Sequence, residues 1–410
     1  MDQGVLALVG GGRWARVYLS TLAAMPLPGQ LAIVARHAPP GVAGMLDAAG
    51  RPVLLHADVD GLLASGRPVI GAVVVNAAPA HAGTALRLLQ SGIPVLVEKP
   101  GATDAAAGDE LVEAARAQGV ALVPALTYRH CAFLENFAQV LRARGRPPSR
   151  LRLEWADPAA ETRYGEVKKY DRGIGLALDV VPHVWAIVAS VLGEHAPHLE
   201  ACRVERGGLR LLLRLRAGPT EYEVLLERDA PRRRRFLCAD EAAAIDFSEE
   251  PGTIAVDGQS RCADPDWATR VDRPVRRQLD AFLHAIGHRP SDGALGDFRA
   301  SVHLAAECDA LVKAQQEALL AAAATSCFDG DTACAVHELL SRRLLASGRL
   351  AAGDRAGLDA QVAALREALA RAPGSSWLEA LARFVPGGTD AHDTISPLPR
   401  VPWPGPAPLP

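Results

Sequence analysis

Three side chains carry the chemistry that this sequence can most readily perform. Lys99 lies in EKPGATD (98–104), while Asp179 and His183 lie four residues apart in RGIGLALDVVPHVW (172–185). A spacing of four puts a carboxylate and an imidazole on one face of a helix. Together with an ammonium group they can position a hydroxyl or carbonyl and move its proton, which leaves the carbon free to give up or accept hydride.

A hydride carrier is expected from the start of the chain. The apolar run VLALV leads into GGGRWAR, where Gly10, Gly12 and Ala15 satisfy G-x-G-x-x-A between a strand and a helix. Glycines let the backbone approach a pyrophosphate, and helix N-terminal amides favour its charge. Gly10, Gly12, Arg13 and Trp14 are therefore expected at a dinucleotide site. The second strand ends in Ala35, Arg36 and His37, with Arg36 where an NAD-selective site presents an acid. An arginine there can pair with a 2′-phosphate, so NADP(H) is favoured over NAD(H). Asn76, Ala77, Pro79 and His81 follow the fourth strand, and Glu98 and Lys99 follow the fifth. Thr127, Tyr128 and Arg129 follow the sixth. All fall at the carboxyl edge of the expected sheet, where such sheets hold ligands. Asn76, Ala77, His81, Glu98 and Lys99 are thus assigned to the cofactor, with Lys99 facing its nicotinamide end.

The elements that must position these groups can be read from periodicity. Up to about residue 125, short and almost continuously apolar strands alternate with helical stretches, the pattern of a doubly wound parallel sheet covered on both faces. After about 130 the rhythm becomes one of successive β-like runs between helices. A second α+β domain with an open, largely antiparallel sheet is expected. The expected divisions are a nucleotide-binding domain at 1–126, a substrate and oligomerisation domain at 127–324, a helical appendix at 325–385 and a proline-rich tail at 386–410. In the appendix, Val336, Leu339, Leu340 and Leu344 form one apolar stripe and Leu358, Val362, Leu365 and Leu369 another. The segment ETRYGEVKKYDRG (161–173) reads as a basic, aromatic substrate loop. Arg129, Tyr164 and Tyr170 are assigned to the substrate, and Gly173 and Gly175 to close approach of a ligand. Arg232 to Arg235 read as alternate arginines on the wet face of an edge strand.

Composition excludes several classes. With 44 Lys and Arg against 47 Asp and Glu, and a net charge of -3, the chain lacks the basic excess of a nucleic-acid-binding domain. No apolar stretch approaches the roughly 20 residues of a membrane span, and the N-terminal residues do not read as a signal peptide, so a cytoplasmic protein is expected. The seven cysteines are scattered without a C-x-x-C pair, which supports neither a disulfide framework nor a metal site.

Taken together, VVVNAAPAHAGTALRLLQSGIPVLVEKP (73–100), RGIGLALDVVPHVW and RRQLDAFLHAI (276–286) resemble the Gfo/Idh/MocA oxidoreductases over about residues 4 to 320. The E-K-P triplet is the most specific sign. The resemblance implies a Rossmann domain followed by an open-faced sheet domain, a homo-oligomer (dimer or tetramer) formed through that sheet, and oxidation or reduction of a secondary alcohol or ketone on a small sugar- or cyclitol-like substrate. It further implies that Lys99 is the substrate-binding catalytic lysine, His183 the proton-transferring histidine and Asp179 the acid that orients the site. The helical appendix departs from the family pattern and could dock a carrier or partner protein. Two alternatives stand beside this expectation. GGGRWARVYLSTL is similar to the thiazolinyl imine reductases, which act on carrier-bound C=N bonds, and the fold also serves as a non-catalytic cofactor-sensing regulator.

Overall fold

The computed structural model describes residues 4–385 apart from 40, 43, 146–147, 164–165, 170–172, 194–196, 239–242, 324–327, 352–353 and 372–375. The chain divides into two compact units. One comprises the residues up to Leu134, Trp185–Ser190 and Asp266–Ala306; the other comprises Glu135–Val184, Val191–Pro265 and the residues from Glu307 onward.

The first unit is built on β1 (Val5–Val9), β2 (Gln30–Val34), β3 (Leu54–His56), β4 (Val69–Val74), β5 (Val95–Glu98) and β6 (Leu122–Ala125). All are parallel, in the order β3-β2-β1-β4-β5-β6. The helices are α1 (Arg13–Ala23), α2 (Val59–Ala64), α3 (His81–Gln90), α4 (Ala105–Gln118), α7 (Pro274–Ala285) and the first half of α8 (Asp292–Ala322). Because strand side chains alternate between faces, β1 feeds two cores. Val5, Ala7 and Val9 pack with Leu88, Leu111, Val112 and Phe298, whereas Leu6 and Leu8 pack with Tyr18, Leu22, Leu279 and Phe282. Both faces are apolar because helices cover both. Asp104 caps α4 by accepting from the Ala107 amide at 2.8 Å, and Gly119 ends that helix in the left-handed conformation.

The second unit contains α5 (Ala132–Arg142, whose first residues belong to the first unit), β7 (Arg150–Asp157), a β8–β9 hairpin (Ala160–Arg163 and Glu166–Lys169) and α6 (Leu176–Leu192, of which Trp185–Ser190 belong to the first unit). Seven more strands follow: β10 (His198–Glu205), β11 (Arg210–Ala217), β12 (Thr220–Arg228), β13 (Arg233–Cys238), β14 (Ala243–Asp246), β15 (Thr253–Val256) and β16 (Gln259–Cys262). With β7 they form an eight-stranded sheet in the order β10-β11-β12-β7-β13-β14-β15-β16, antiparallel except where β12 meets β7. One face is apolar, as Leu211, Leu213 and Leu215 of β11 show, and the other carries Arg210, Arg214 and Arg216. The two appendix stripes meet in one core, formed by α9 (Gly330–Ala346), α10 (Arg355–Ala370) and α11 (Trp377–Phe384) with Leu320 of α8.

Two expectations need correction. The 161–169 segment is a hairpin rather than a loop, with Arg163 opposite Glu166; Tyr164 and Tyr170 lie outside the described residues, as does the proline-rich tail. The arginine run is not an edge. β13 is flanked by β7 and β14, and Arg234 points inward, 1% exposed, with its guanidinium 3.4 Å from the Trp155 ring and bonded to Asp157 at 2.5 Å. A carboxylate and an aromatic face supply what a buried cation requires.

Candidate active site

In the first unit the cradle forms where β1 hands over to α1. Gly10 has φ +143°, and a Cβ there would stand 2.7 Å from the Val75 carbonyl oxygen, so the position requires glycine. Gly12 differs, since a Cβ added there meets nothing within 4 Å. It precedes α1 in extended conformation, with no side-chain cap and no acid in the first turn. Open space before an uncapped helix N-terminus fits an anionic pyrophosphate. Trp14 packs toward Tyr18 at 6.4 Å, with the Arg13 guanidinium 5.6 Å from its ring. Arg36 is exposed just beyond β2, next to this turn, because the His37 carbonyl faces Gly11.

The E-K-P turn at the end of β5 is held on both sides. Glu98 is buried; it accepts from the Tyr18 hydroxyl at 2.7 Å and from the Lys99 amide at 2.9 Å. Gln278 of α7 donates to the Tyr18 hydroxyl at 2.6 Å and accepts from the Thr127 hydroxyl at 3.1 Å. Burial, reinforced by the Glu98 charge, pushes the Tyr18 hydroxyl well above its ordinary pKa, so it remains a donor. Beyond Lys99 the peptide to Pro100 is cis, and the Pro100 carbonyl lies 2.8 Å from His81 Nδ1. His81 Nε2 meets the Asn76 carbonyl at 3.0 Å, while the Asn76 side chain donates to Thr84 at 2.8 Å. His81 is thus a buried strut between the turns after β4 and β5, and burial depresses its pKa. Ala77 is exposed at the same edge. Arg129, in the single 3-10 turn Thr127–His130, pairs with Asp297 at 3.3 Å and lies 5.8 Å from the Trp185 ring.

In the second unit, α6 carries the other pair. The Asp179 amide donates to the Gly175 carbonyl at 3.0 Å, which opens the helix. Its carboxylate accepts from Arg228 at 3.0 Å, and the other arm of that guanidinium donates to the Ile174 carbonyl at 2.9 Å. One turn later the His183 ring stacks on Trp155, centroids 5.1 Å apart and planes 17° apart, and Trp155 donates to Asp157 at 2.9 Å. Pro182 removes one helical amide from the segment between them.

The first unit therefore gathers Gly10, Gly12, Arg13, Trp14, Arg36, Asn76, Ala77, His81, Glu98 and Lys99 along the carboxyl edge of its sheet. The second holds Asp179 and His183 on α6. The sequence reading missed Tyr18, Gln278, Arg228 and Trp155. Gln278 did leave a signal, as a polar residue inside an otherwise apolar helix stripe, and it is fully buried.

Residues 5–126 match the model of the GFO_IDH_MocA oxidoreductase family, NAD-binding Rossmann fold. No curated protein matches. Among solved structures, a Gfo/Idh/MocA family oxidoreductase from Vibrio cholerae is 22% identical with a TM-score of 0.57, covering 76% of this chain and 99% of that one. The 3-ketoreductase KijD10 from Actinomadura kijaniata, in complex with NADP and TDP-benzene, is 16% identical with a TM-score of 0.60 over 75% of this chain and 98% of its own. A UDP-N-acetylglucosamine 3-dehydrogenase from Acidithiobacillus ferrooxidans is 22% identical with a TM-score of 0.56, covering 77% and 99%. At these identities the likeness is one of fold, and the family match is confined to residues 5–126. Residues 5–126 are thus similar to the NAD-binding Rossmann domain of the Gfo/Idh/MocA oxidoreductases.

Proposed function

We propose that the protein transfers hydride between NADP(H) and a ketone or secondary-alcohol carbon of a sugar-like substrate, with nucleotide-linked hexoses the first class to test. The observation that carries this reading is the turn at Lys99, fixed by Glu98 on one side and by His81 on the other at the carboxyl edge of the sheet. The substrate class is supported by the TDP-benzene complex of one structural neighbour and the UDP-sugar named for another. NADP(H) is supported by Arg36 and by the lack of any acid from Ala35 to Pro39.

When bound, the nicotinamide supplies or accepts the hydride. Lys99 holds the substrate oxygen and stabilises its developing negative charge. His183 gives that oxygen a proton during reduction and removes it during oxidation. Asp179, held by Arg228, fixes the start of the helix that carries the imidazole. A homo-oligomer built on the charged sheet face is part of the same proposal. The test is Lys99→Ala assayed against a panel of UDP- and TDP-hexoses with NADPH. Turnover should fall by about 10²- to 10⁴-fold, the scale of one proton-handling or charge-stabilising group, while NADPH affinity stays within a few-fold. Undiminished turnover would refute the role of Lys99.

A further inference from the structure

The C-terminal helices reach the start of α6, the helix that carries Asp179 and His183. Arg342 of α9 is half enclosed by carboxylates: it donates to both oxygens of Asp309 on α8, at 2.5 and 2.7 Å, and to Glu338 one turn earlier at 2.6 Å. This ion triad sits against the backbone of Gly175. A Cβ at that position would stand 2.7 Å from Asp309 Oδ1 and 2.7 Å from Glu338 Oε1, and nearer still to the Arg342 guanidinium. Gly175 is thus explained by the approach of the triad, not by the approach of a ligand that its place in the motif suggests.

Gly175 also supplies the carbonyl that accepts from the Asp179 amide, so the triad presses on the residue that opens α6. From the other side Arg228 bonds both the Ile174 carbonyl and the Asp179 carboxylate. A second contact repeats the arrangement nearby. Gly207 and Gly208 both have positive φ, and a Cβ on Gly207 would meet Cys334 of α9 at 2.9 Å and the Asp331 carbonyl more closely. Gln316 of α8 donates to the Gly207 carbonyl at 2.9 Å. Glycine thus stands at each of these points where α8 and α9 meet backbone, and a side chain at any of them would push the helices away.

We propose that Arg342 is a positioning residue: with Asp309 and Glu338 it clamps the Ile174–Gly175 turn and so sets where Asp179 and His183 stand on α6. The helical extension is then a working part of the site and not an appended arm. Its catalytic consequence rests on the assignment of His183 to proton transfer; its structural consequence does not. A guanidinium is required because only its planar fork can engage both oxygens of one carboxylate and a second carboxylate at once.

Arg342→Lys keeps the charge and removes the fork. Two readouts apply to the full-length protein. In the first, histidines are labelled with 13C and His183 is assigned with His183→Asn. The His183 ring lies on the Trp155 face, so its resonance reports any shift of α6 through the ring current, whatever the substrate. The proposal expects that resonance to move in folded Arg342→Lys, and an unmoved resonance overturns it. In the second, kcat on the best panel hexose, per NADPH-binding site, should fall roughly tenfold or more, with KM and NADPH affinity nearly unchanged, as expected for a geometric fault of about 1.4 kcal/mol or more in the transition state. A merely structural role would lower only the folded fraction. If Arg342→Lys does not fold, Glu338→Gln removes one of the two carboxylate partners and carries the same two readouts. Failure of the underlying assignment is recognised separately: His183→Asn would keep full turnover while the resonance still moved.

Discussion

At the scale of single residues, each assigned side chain draws its meaning from what its neighbours leave it free to do. Glu98, at first sight a cofactor contact, is engaged with the Lys99 amide and the Tyr18 hydroxyl, and so acts on the lysine through the backbone. Arg36 is in the opposite situation, exposed beside the glycine turn. A charge-assisted bond from it to a 2′-phosphate is worth about 1.5–3 kcal/mol. Arg36→Ala should therefore lower the preference for NADPH over NADH by about 10- to 100-fold, read from the ratio of kcat/KM for the two cofactors. An unchanged ratio removes Arg36 from the site. Types and spacing pointed to the glycine cradle and singled out Lys99, Asp179 and His183 as candidates, because backbone conformation and helical spacing are local properties. Tyr18 and Gln278 were not singled out, since their importance lies in a hydrogen-bond chain spanning 260 positions.

At the scale of elements, the 3-10 turn after β6 shows how burial converts into pH dependence. His130 is held near a pKa of about 4 by burial first and then by the charges of Arg277 and Arg129, against an ordinary value of 6.5. Below the ordinary value the unfolded chain takes up a proton that the folded chain refuses until the lower one. The stabilisation present at neutral pH is therefore lost as pH falls from about 6.5 toward about 4, by up to about 3 kcal/mol for this one group and less in so far as water reaches it. His81 is depressed in the same direction and adds to the slope. Urea midpoints measured at neutral pH and near pH 5 should differ less in His130→Asn than in the parent. An equal drop in both would remove His130 as a cause. The same turn was visible in sequence only as the residues after a strand. The neighbouring charges come from the turn itself and from α7, about 150 positions later, which no local pattern connects.

At the scale of the whole molecule, the extension decides how the second unit is completed. Its core joins α9, α10 and α11 to Leu320, and a buried ion triad crosses from α9 to α8. A chain ending at residue 327 would strip Arg342 and Glu338 from Asp309 and bare the apolar side of α8 around Leu320. Such a chain is expected to melt well below the full-length protein or to aggregate, and partner-capture experiments comparing the two lengths would then report folding rather than docking. A truncated form with an unchanged Tm would restore the extension to the status of a separate arm. No helix among the described residues is long and apolar enough to cross a membrane.

The sequence by itself determined the order of strands and helices in the nucleotide-binding sheet, the turn where glycine must stand and the stripes by which the extension packs. Each follows from side-chain periodicity or from a backbone angle, which neighbouring residues fix. Tertiary structure alone decided which charged groups were taken out of water. Arg234 turned inward onto Trp155, and Arg342 became the fork against which Gly175 rests. A guanidinium is buried only where distant residues bring carboxylates and an aromatic face to meet it. That supply of partners is set by the packing of remote segments.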